Sequence, residues 1–356
     1  MACEDRRFCA STSFRHHRIP PQLLLLYPPL PDTYNDSNHR KLAEHETIVD
    51  LLGTPLHRIA SSDRERASTV LYKTHVLRQE PPFGCMQATE HNYSVASPLY
   101  TLLTIAPYVS RIELLMIAYE FCGNFTVFSP NARSEYILNS AYQQGMIPLG
   151  AGWTRVKDTK GRDTNLWKRD PLITMEELVA FSKKTAGMRG SQNLRWAAER
   201  MTGVCASPFE AQASMLFGLS RRLGGMGLSF ENNARIVLTK EARAIYNHPC
   251  CYADIYIEGT DAHPPLDIEC QGQSVHDGEA ATLSDSDRLA ALESMGIQVV
   301  PITYRQLSNE DGFAATQKLI AQKLNMRLSP KTPKERLAET SLREEVLIDW
   351  NTLAQR

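Results

Sequence analysis

Leu266-Asp267-Ile268-Glu269-Cys270-Gln271-Gly272 decides the fold class and the place of any chemistry. Leu266, Ile268 and Cys270 alternate with Asp267, Glu269 and Gln271. A period of two sends neighbours to opposite faces, so the stretch predicts one β-strand, ended by a turn at Gly272. One face enters an apolar core, and the other carries two carboxylates and an amide. Like charges two apart on one strand face repel, and a metal ion, a proton or solvent has to compensate them. Two readings stand at this point: a solvated face of an edge strand, or an acidic functional site.

The surroundings fill in an α/β unit. Ser207-Pro208-Phe209-Glu210 predicts a helix to about residue 221, with Ser207 at the N-cap and Pro208 in the first turn. Glu210 completes a capping box, a full structural account of that residue. Gly224, Gly225 and Gly227 make a turn, and 235–239 reads as a short strand. Residues 252–257 read as a second strand. Asp254 interrupts its apolar and aromatic run and, being disfavoured in strands, asks for a partner. A loop after Gly272 carries His276. Ser284 reads as the cap of a helix with Asp287 at its third position, followed by Arg288, Leu289, Leu292 and Met295 and ended by Gly296. The apolar run 297–303 reads as a buried strand, and 311–324 as an amphipathic helix. Helix, three strands, helix, strand, helix predicts a mixed sheet with at least one helical crossover.

Before this unit, residues 1–38 are rich in Arg, His, Pro, Ser and Asn without sustained periodicity and read as an irregular arm. A helix is expected over 39–52, closed by Gly53, Thr54 and Pro55. Strands are expected at 69–72 and 93–95. Ser97-Pro98 opens a helix with Leu99, Leu102, Leu103 and Ala106 on its apolar stripe. Ser110 with Glu113 caps a strongly apolar second helix that Gly123 stops. Residues 136–203 read as a connector with helices. Within it, 155–169 mixes Lys157, Lys160, Arg162 and Lys168 with Trp167, and Trp153 lies just before. A basic, aromatic-bearing loop can track phosphates and stack bases, and a solvated hairpin with interspersed aspartates is the alternative. Thr174 with Glu177 predicts another capping box. Residues 327–356 form a charged helical tail from near Pro333, whose Leu337, Leu342, Val346 and Leu347 can dock on the body or on a partner.

The chain has 356 residues, 42% hydrophobic and 22% charged, with a formal net charge of −1. These values describe an ordinary globular protein of two or three domains. No global field draws it onto nucleic acid, so any such site is a local patch. Eight cysteines in this length make no disulfide framework and read as reduced cytosolic thiols. No apolar run is long enough for a membrane span or a secretory signal. His248, Cys250, Cys251 and Cys270 could in principle form a zinc set, though adjacent cysteines do not readily share one tetrahedral ion.

Two resemblances sit on these residues. Val95-Ala96-Ser97-Pro98, Glu113-Leu114 and Glu120-Phe121-Cys122-Gly123 resemble the central segment of AbiEi-type antitoxin-like proteins, over about 45–135. Those proteins usually begin with a winged helix-turn-helix, and residues 1–38 offer no such helix pair to the sequence reader. Ser207-Pro208-Phe209-Glu210, Asp254, Glu269-Cys270-Gln271-Gly272, His276 and Asp285 with Arg288, Leu292, Gly296, Val299 and Val300 resemble the PD-(D/E)XK nuclease superfamily. More narrowly, they are similar to its very-short-patch-repair-like endonucleases, over about 204–326.

The second resemblance implies a restriction-endonuclease-like mixed sheet flanked by helices at 204–326, behind an N-terminal α+β domain at 39–135. It implies a DNA endonuclease using Mg²⁺, for which Mn²⁺ can substitute, with a possible cognate protein partner in a toxin–antitoxin or defence context. Asp254, Glu269 and the backbone carbonyl of Cys270 would be metal ligands. Hard oxygens suit Mg²⁺, which keeps waters for a phosphate to displace. Glu210 would orient water or complete the outer shell, and His276 would position water or move a proton. Arg288 would pair with phosphate or with a site carboxylate; its structural alternative is an ion pair with Asp285 or Asp287. Gln271 stands where the superfamily has a lysine and the narrower branch commonly an aspartate, and glutamine neither carries charge nor serves as a base. Asp267, on the same strand face, either supplies a substitute carboxylate or faces solvent. The alternative function is an inactive antitoxin-like or regulatory protein that binds DNA or protein through a degenerate nuclease fold.

Overall fold

A computed structural model describes residues 6–31, 39–62, 69–77, 81–82, 84–148, 150–271 and 279–355, with side chains at all of these but 39, 40 and 279–285. The chain opens with β1 (Arg7–Phe8), α1 (Ala10–Arg18) and α2 (Pro21–Leu24). This corrects the expectation of an irregular arm, because Phe8, Phe14 and Leu23 are fully buried. The polar residues of α1 hid it from sequence reading, since distant backbone satisfies them. Thr12 Oγ1 accepts from His57 N at 2.7 Å, and Ser13 Oγ donates to Phe8 O at 2.8 Å and accepts from Ala96 N at 3.1 Å. Tertiary partners override weak local propensity here.

The single helix expected over 39–52 is two pieces, α3 (His39–Ala43) and a π-helical turn Thr47–Leu52, which ends at Gly53 with φ 65°. Next come β2 (Leu56–Ala60), β3 (Tyr72–Val76), β4 (Met86–Ala88) and β5 (Ser94–Ala96). Strand β3 begins where the expected strand at 69–72 was to end. With β1 they form a five-stranded sheet of order β3-β2-β1-β5-β4.

The helical hairpin α4 (Pro98–Ile105) and α5 (Arg111–Cys122) follows as expected, with Ser97 and Ser110 accepting from Tyr100 N and Glu113 N. Every residue from Leu114 to Cys122 is buried. A helix apolar all round lies at the centre of a protein, and each fully buried large side chain contributes roughly 1.5–3 kcal/mol. Its stop at Gly123 is steric: a Cβ there would lie 2.6 Å from Tyr119 O and 2.7 Å from Cys205 O.

Then come β6 (Phe125–Val127), α6 (Ala132–Gln143), β7 (Thr154–Lys157) and β8 (Asp163–Lys168), the strands forming a sheet of order β6-β8-β7. The expected connector thus contains a β-hairpin anchored on a strand from the preceding segment. Helices α7 (Met175–Lys184), with its Thr174/Glu177 capping box, and α8 (Ser191–Ala198) complete this part.

The C-terminal unit follows the expected order, with two short helices added. It consists of α9 (Pro208–Gly218), β9 (Glu231–Val237), α10 (Lys240–Ile245), β10 (Cys250–Ile257), β11 (Leu266–Gln271), α11 (Glu279–Ser294), β12 (Gln298–Thr303), α12 (Tyr304–Ser308) and α13 (Glu310–Lys323). The sheet order is β12-β11-β10-β9. Strands β11 and β12 are parallel and the other pairs antiparallel, so the sheet is mixed. The parallel pair requires a crossover, and α11 supplies it.

Two expectations change in this unit. The strand 266–271 is internal rather than an edge; the edges are β12 and β9, and Pro301 lies in β12, as proline in a sheet tends to. Ser284 lies inside α11 and does not cap it.

Last, α14 (Pro333–Val346) docks on the body through Leu342 and Val346, while Leu337 stays exposed. One apolar cluster includes Phe14, Ile59, Leu115, Leu178, Leu216, Ile268, Leu342 and Trp350, drawing on all five segments expected from the sequence. The pair Arg18–Glu120 ties its ends together. Arg18 Nε and Nη2 donate to Glu120 Oε1 and Oε2 at 2.8 and 2.5 Å, and Nη1 donates to Trp350 O at 2.9 Å. Glu120 also accepts from Thr126 Oγ1 at 2.6 Å and Val127 N at 3.2 Å.

Removing one partner of a buried pair leaves an uncompensated charge. Glu120→Gln should therefore lower stability in urea unfolding by about 3–5 kcal/mol. Adding Arg18→Met should recover part of that loss, and a loss below about 1 kcal/mol in the single variant would contradict the role given to the pair.

Candidate functional site

The site begins at the N-terminus of α9. Ser207 Oγ accepts from Glu210 N at 3.2 Å, as a cap should. The Glu210 carboxylate turns back, accepting from Ala206 N at 2.7 Å and from Ser207 Oγ at 2.8 Å. It reaches one residue beyond the cap backbone, so the expected capping box is present in a shifted form. Glu210 is 8% exposed. Burial raises the pKa of its carboxyl, the two hydrogen bonds lower it, and Glu269 raises it further.

Asp254 sits in the middle of β10. The ladder pairs Ala253 with Ala234 and Ile255 with Asn232, which places Asn233 opposite Asp254, and Asn233 takes a left-handed φ of 52°. A polar chain holds this irregular point. Tyr119 Oη meets Thr202 Oγ1 at 2.8 Å, Thr202 Oγ1 donates to Asn232 Oδ1 at 2.6 Å, and Asn232 Nδ2 donates to Asp254 O at 2.9 Å. Gly203 lets this approach happen, because a Cβ there, at φ 144°, would lie 2.8 Å from Asn232 N. The partner that Asp254 needed is the neighbouring backbone: its Oδ2 accepts from Cys270 N at 2.8 Å. Burial first, then Glu210 and Glu269, push its carboxyl up to about 8.

On β11 the acidic face is not a solvated one. Asp267 is fully buried, and neither of its carboxyl oxygens is within hydrogen-bond distance of a donor among the described residues. Burial, then the adjacent Glu269, push it up to about 10, so it is neutral at pH 7 and its proton can serve Glu269. Arg288, from α11, grips Glu269 in a bidentate pair, Nη1 to Oε2 at 3.1 Å and Nη2 to Oε1. Its Nη2 also donates to Tyr252 O at 2.8 Å and lies 3.7 Å from Asp267 Oδ2. Of the two readings of Arg288, the structure shows pairing with site carboxylates, Glu269 first and Asp267 at longer range. The expectation that Asp267 faces solvent is overturned for the same reason: the strand is internal and α11 covers it.

These groups open into one groove of about 1780 Å³. Glu210, Asp254, Glu269, Cys270, Gln271 and Arg288 line it. So do Arg155, Lys157, Arg162 and Lys168 of the β7–β8 hairpin. Arg155 is paired with Glu135 and Arg162 with Asp158. Lys157 and Lys168 are exposed and enter no ion pair among the described residues. Trp167 corrects the base-stacking expectation, because it is 1% exposed and its Nε1 donates to Phe128 O at 3.1 Å. Trp153 is half-buried under Arg169. An aromatic that the sequence reading passed over, Tyr304, lines the groove instead. Nothing in its local pattern marks it; only its place after β12 does.

Of the residues expected in a site, Glu210, Asp254, Glu269, Cys270, Gln271 and Arg288 come together, and His276 lies outside the described residues. Asp254, Glu269 and the Cys270 carbonyl are hard donors of the kind Mg²⁺ takes. Among the described residues no three His, Cys, Asp or Glu side chains form a ready metal group, for magnesium or for zinc. The fit is therefore one of donor chemistry and charge. Crowded carboxyls with raised pKa values, and Asp267 oxygens without a donor among the described residues, leave acid that a divalent cation would relieve, while Arg288 occupies Glu269. Comparison of the chain with protein-family models, curated proteins and solved structures gives no match.

The raised carboxyl of Asp254 has a consequence for stability. A folded-state value of about 8 against an ordinary 3.8 favours the protonated form in the fold. Its contribution is full below the ordinary value and is lost as pH rises from there through about 8. In chelator, thermal unfolding of the wild type should therefore occur at a lower temperature at about pH 8.5 than at about pH 6, and Asp254→Asn should shrink that difference. Equal differences in the two proteins would show that Asp254 is not a buried acid of this kind.

Proposed function

We propose that the chain is a Mg²⁺-dependent endonuclease that hydrolyses DNA phosphodiesters at the floor of the groove. The carrying observation is the convergence of Glu210, Asp254 and Glu269 in one open groove that Lys157 and Lys168 also line. Asp254, Glu269 and the carbonyl of Cys270 would hold the ion. When bound, it acidifies a coordinated water and offsets charge on the phosphate and the leaving oxygen. Glu210, anchored at its own helix start, keeps its position as a fixed acceptor beside that water. Gln271, exposed at the strand end, offers an amide that donates to or accepts from the phosphate without moving a proton. Arg288 is placed to exchange its carboxylate partner for a phosphate oxygen, a bidentate match to guanidinium geometry. His276, outside the described residues, is the proposed water-positioning or proton-moving group.

The resemblance to PD-(D/E)XK nucleases and to AbiEi-type proteins supports this reading and a cytosolic toxin–antitoxin or defence setting with a cognate protein partner. A second reading, binding of DNA or a protein partner without hydrolysis, draws on two observations. Arg288 holds Glu269 in a closed pair, and Glu210 is satisfied by its own helix start.

The deciding assay is nicking and cleavage of supercoiled, mismatched and single-stranded DNA with Mg²⁺ or Mn²⁺. Cutting that chelator stops and that Glu269→Ala slows about 100-fold or more is expected. Absence of cutting by wild type, with DNA or partner binding the same in Glu269→Ala, would sink hydrolysis and leave the binding reading.

A further inference from the structure

The groove exceeds the roughly 300–1,000 Å³ of small-molecule sites, at about 1780 Å³. Its lining comes from different parts of the chain. The β7–β8 hairpin lies before the mixed sheet in sequence, yet it lines the same groove as the carboxylates of β10 and β11. Lys157 and Lys168 end the two strands of that hairpin, exposed and without an ion-pair partner among the described residues. They present a short cationic rail along a chain whose net charge is only −1.

Tyr304 lines the same groove. It follows Thr303, the register partner of Gln271, and so sits beside the site. Its hydroxyl donates to Leu347 O at 3.0 Å and its ring packs 6.0 Å from Phe209. The ring is thus held at both ends while the residue stays 39% exposed. Pinning of this kind presents an aromatic surface with little rotamer entropy left to lose.

We propose that the groove takes single-stranded DNA, with Lys157 and Lys168 on its phosphates and one base stacked on Tyr304. This rests on the nuclease reading for the groove's use and adds its substrate class. A base within a duplex has both faces covered by its neighbours, so a lone aromatic platform beside the carboxylates is usable only by an unstacked base. A rail of lysines follows a backbone without reading sequence.

The test is fluorescence anisotropy of the full chain in chelator, with a fluorescein-labelled oligo(dT) of about 12 nucleotides, within the usual site sizes, and a mixed-sequence duplex of the same length. Wild type should bind the single strand about ten-fold tighter than the duplex. Each phosphate contact adds about 0.7 to the salt slope for single strands, so Lys157→Ala with Lys168→Ala should lower that slope by about 1.4. Tyr304→Leu should weaken single-strand binding about five-fold or more. Tyr304→Phe, which keeps the ring, should stay near wild type. Equal or tighter duplex binding, or indifference to both the lysine and the Tyr304→Leu changes in variants with unchanged circular dichroism, overturns the inference. The two readings fail separately. DNA cleavage indifferent to these changes would overturn single-strand capture and leave hydrolysis standing. Capture that follows the expected pattern with no cutting would do the reverse.

Discussion

The buried pair of Arg18 and Glu120 is the constraint through which both ends of the chain are organised. A guanidinium and a carboxylate out of water cost several kcal/mol each unless every lone pair and proton is used. Here they are used by strangers in sequence. Arg18 comes from the first long helix, Glu120 from the central one, and the remaining bonds go to Thr126, Val127 and the carbonyl of Trp350. Arg169 adds a bond from its Nη2 to the Glu120 carbonyl at 2.7 Å. A charge that tolerates no vacancy fixes the first helix, the start of the three-stranded sheet and the C-terminal turn relative to one another. That arrangement sets the hairpin wall of the groove, because β8 is hydrogen-bonded to the strand holding Thr126 and Val127.

The acidic end of the groove solves the opposite problem, with too many like charges and too few partners. Three devices share the load. Glu210 spends its charge on donors at its own helix start, Asp254 takes a backbone N–H and holds a proton at neutral pH, and Glu269 takes Arg288. Asp267 beneath them is neutral because burial leaves it no alternative. Each device is local and reversible, which is what a site that exchanges protons, cations or phosphates requires. A wholly structural cluster of this size would be cheaper as apolar residues.

Arg288 connects structure to chemistry. It is the cation that lets β11 be internal with two acidic residues on it, and it is also the group best shaped for a phosphate. The exposed lysines and the pinned Tyr304 line the same groove.

Local pattern carried the C-terminal unit far. The period-two stretch gave β11 with both its ends, Leu266 and Gln271, and Ser207-Pro208 gave the start of α9, because strand alternation and N-capping depend on adjacent residues alone. Six of the residues expected to meet do meet. What the sequence could not show depends on partners far along the chain. Among these are the burial of α1, whose polar side chains are satisfied by 57 and 96, and the burial of Trp167, which removed it as a stacking platform. The internal place of β11 is another, since strand order is set by the α11 crossover and the sheet as a whole. So is the pairing of Arg288 with Glu269 instead of its own helix neighbours. Sequence alone determined which residues alternate, cap and repel. Only the tertiary structure decided which of those charges share one low-dielectric space, and there distance and burial, rather than spacing, set protonation and partnership.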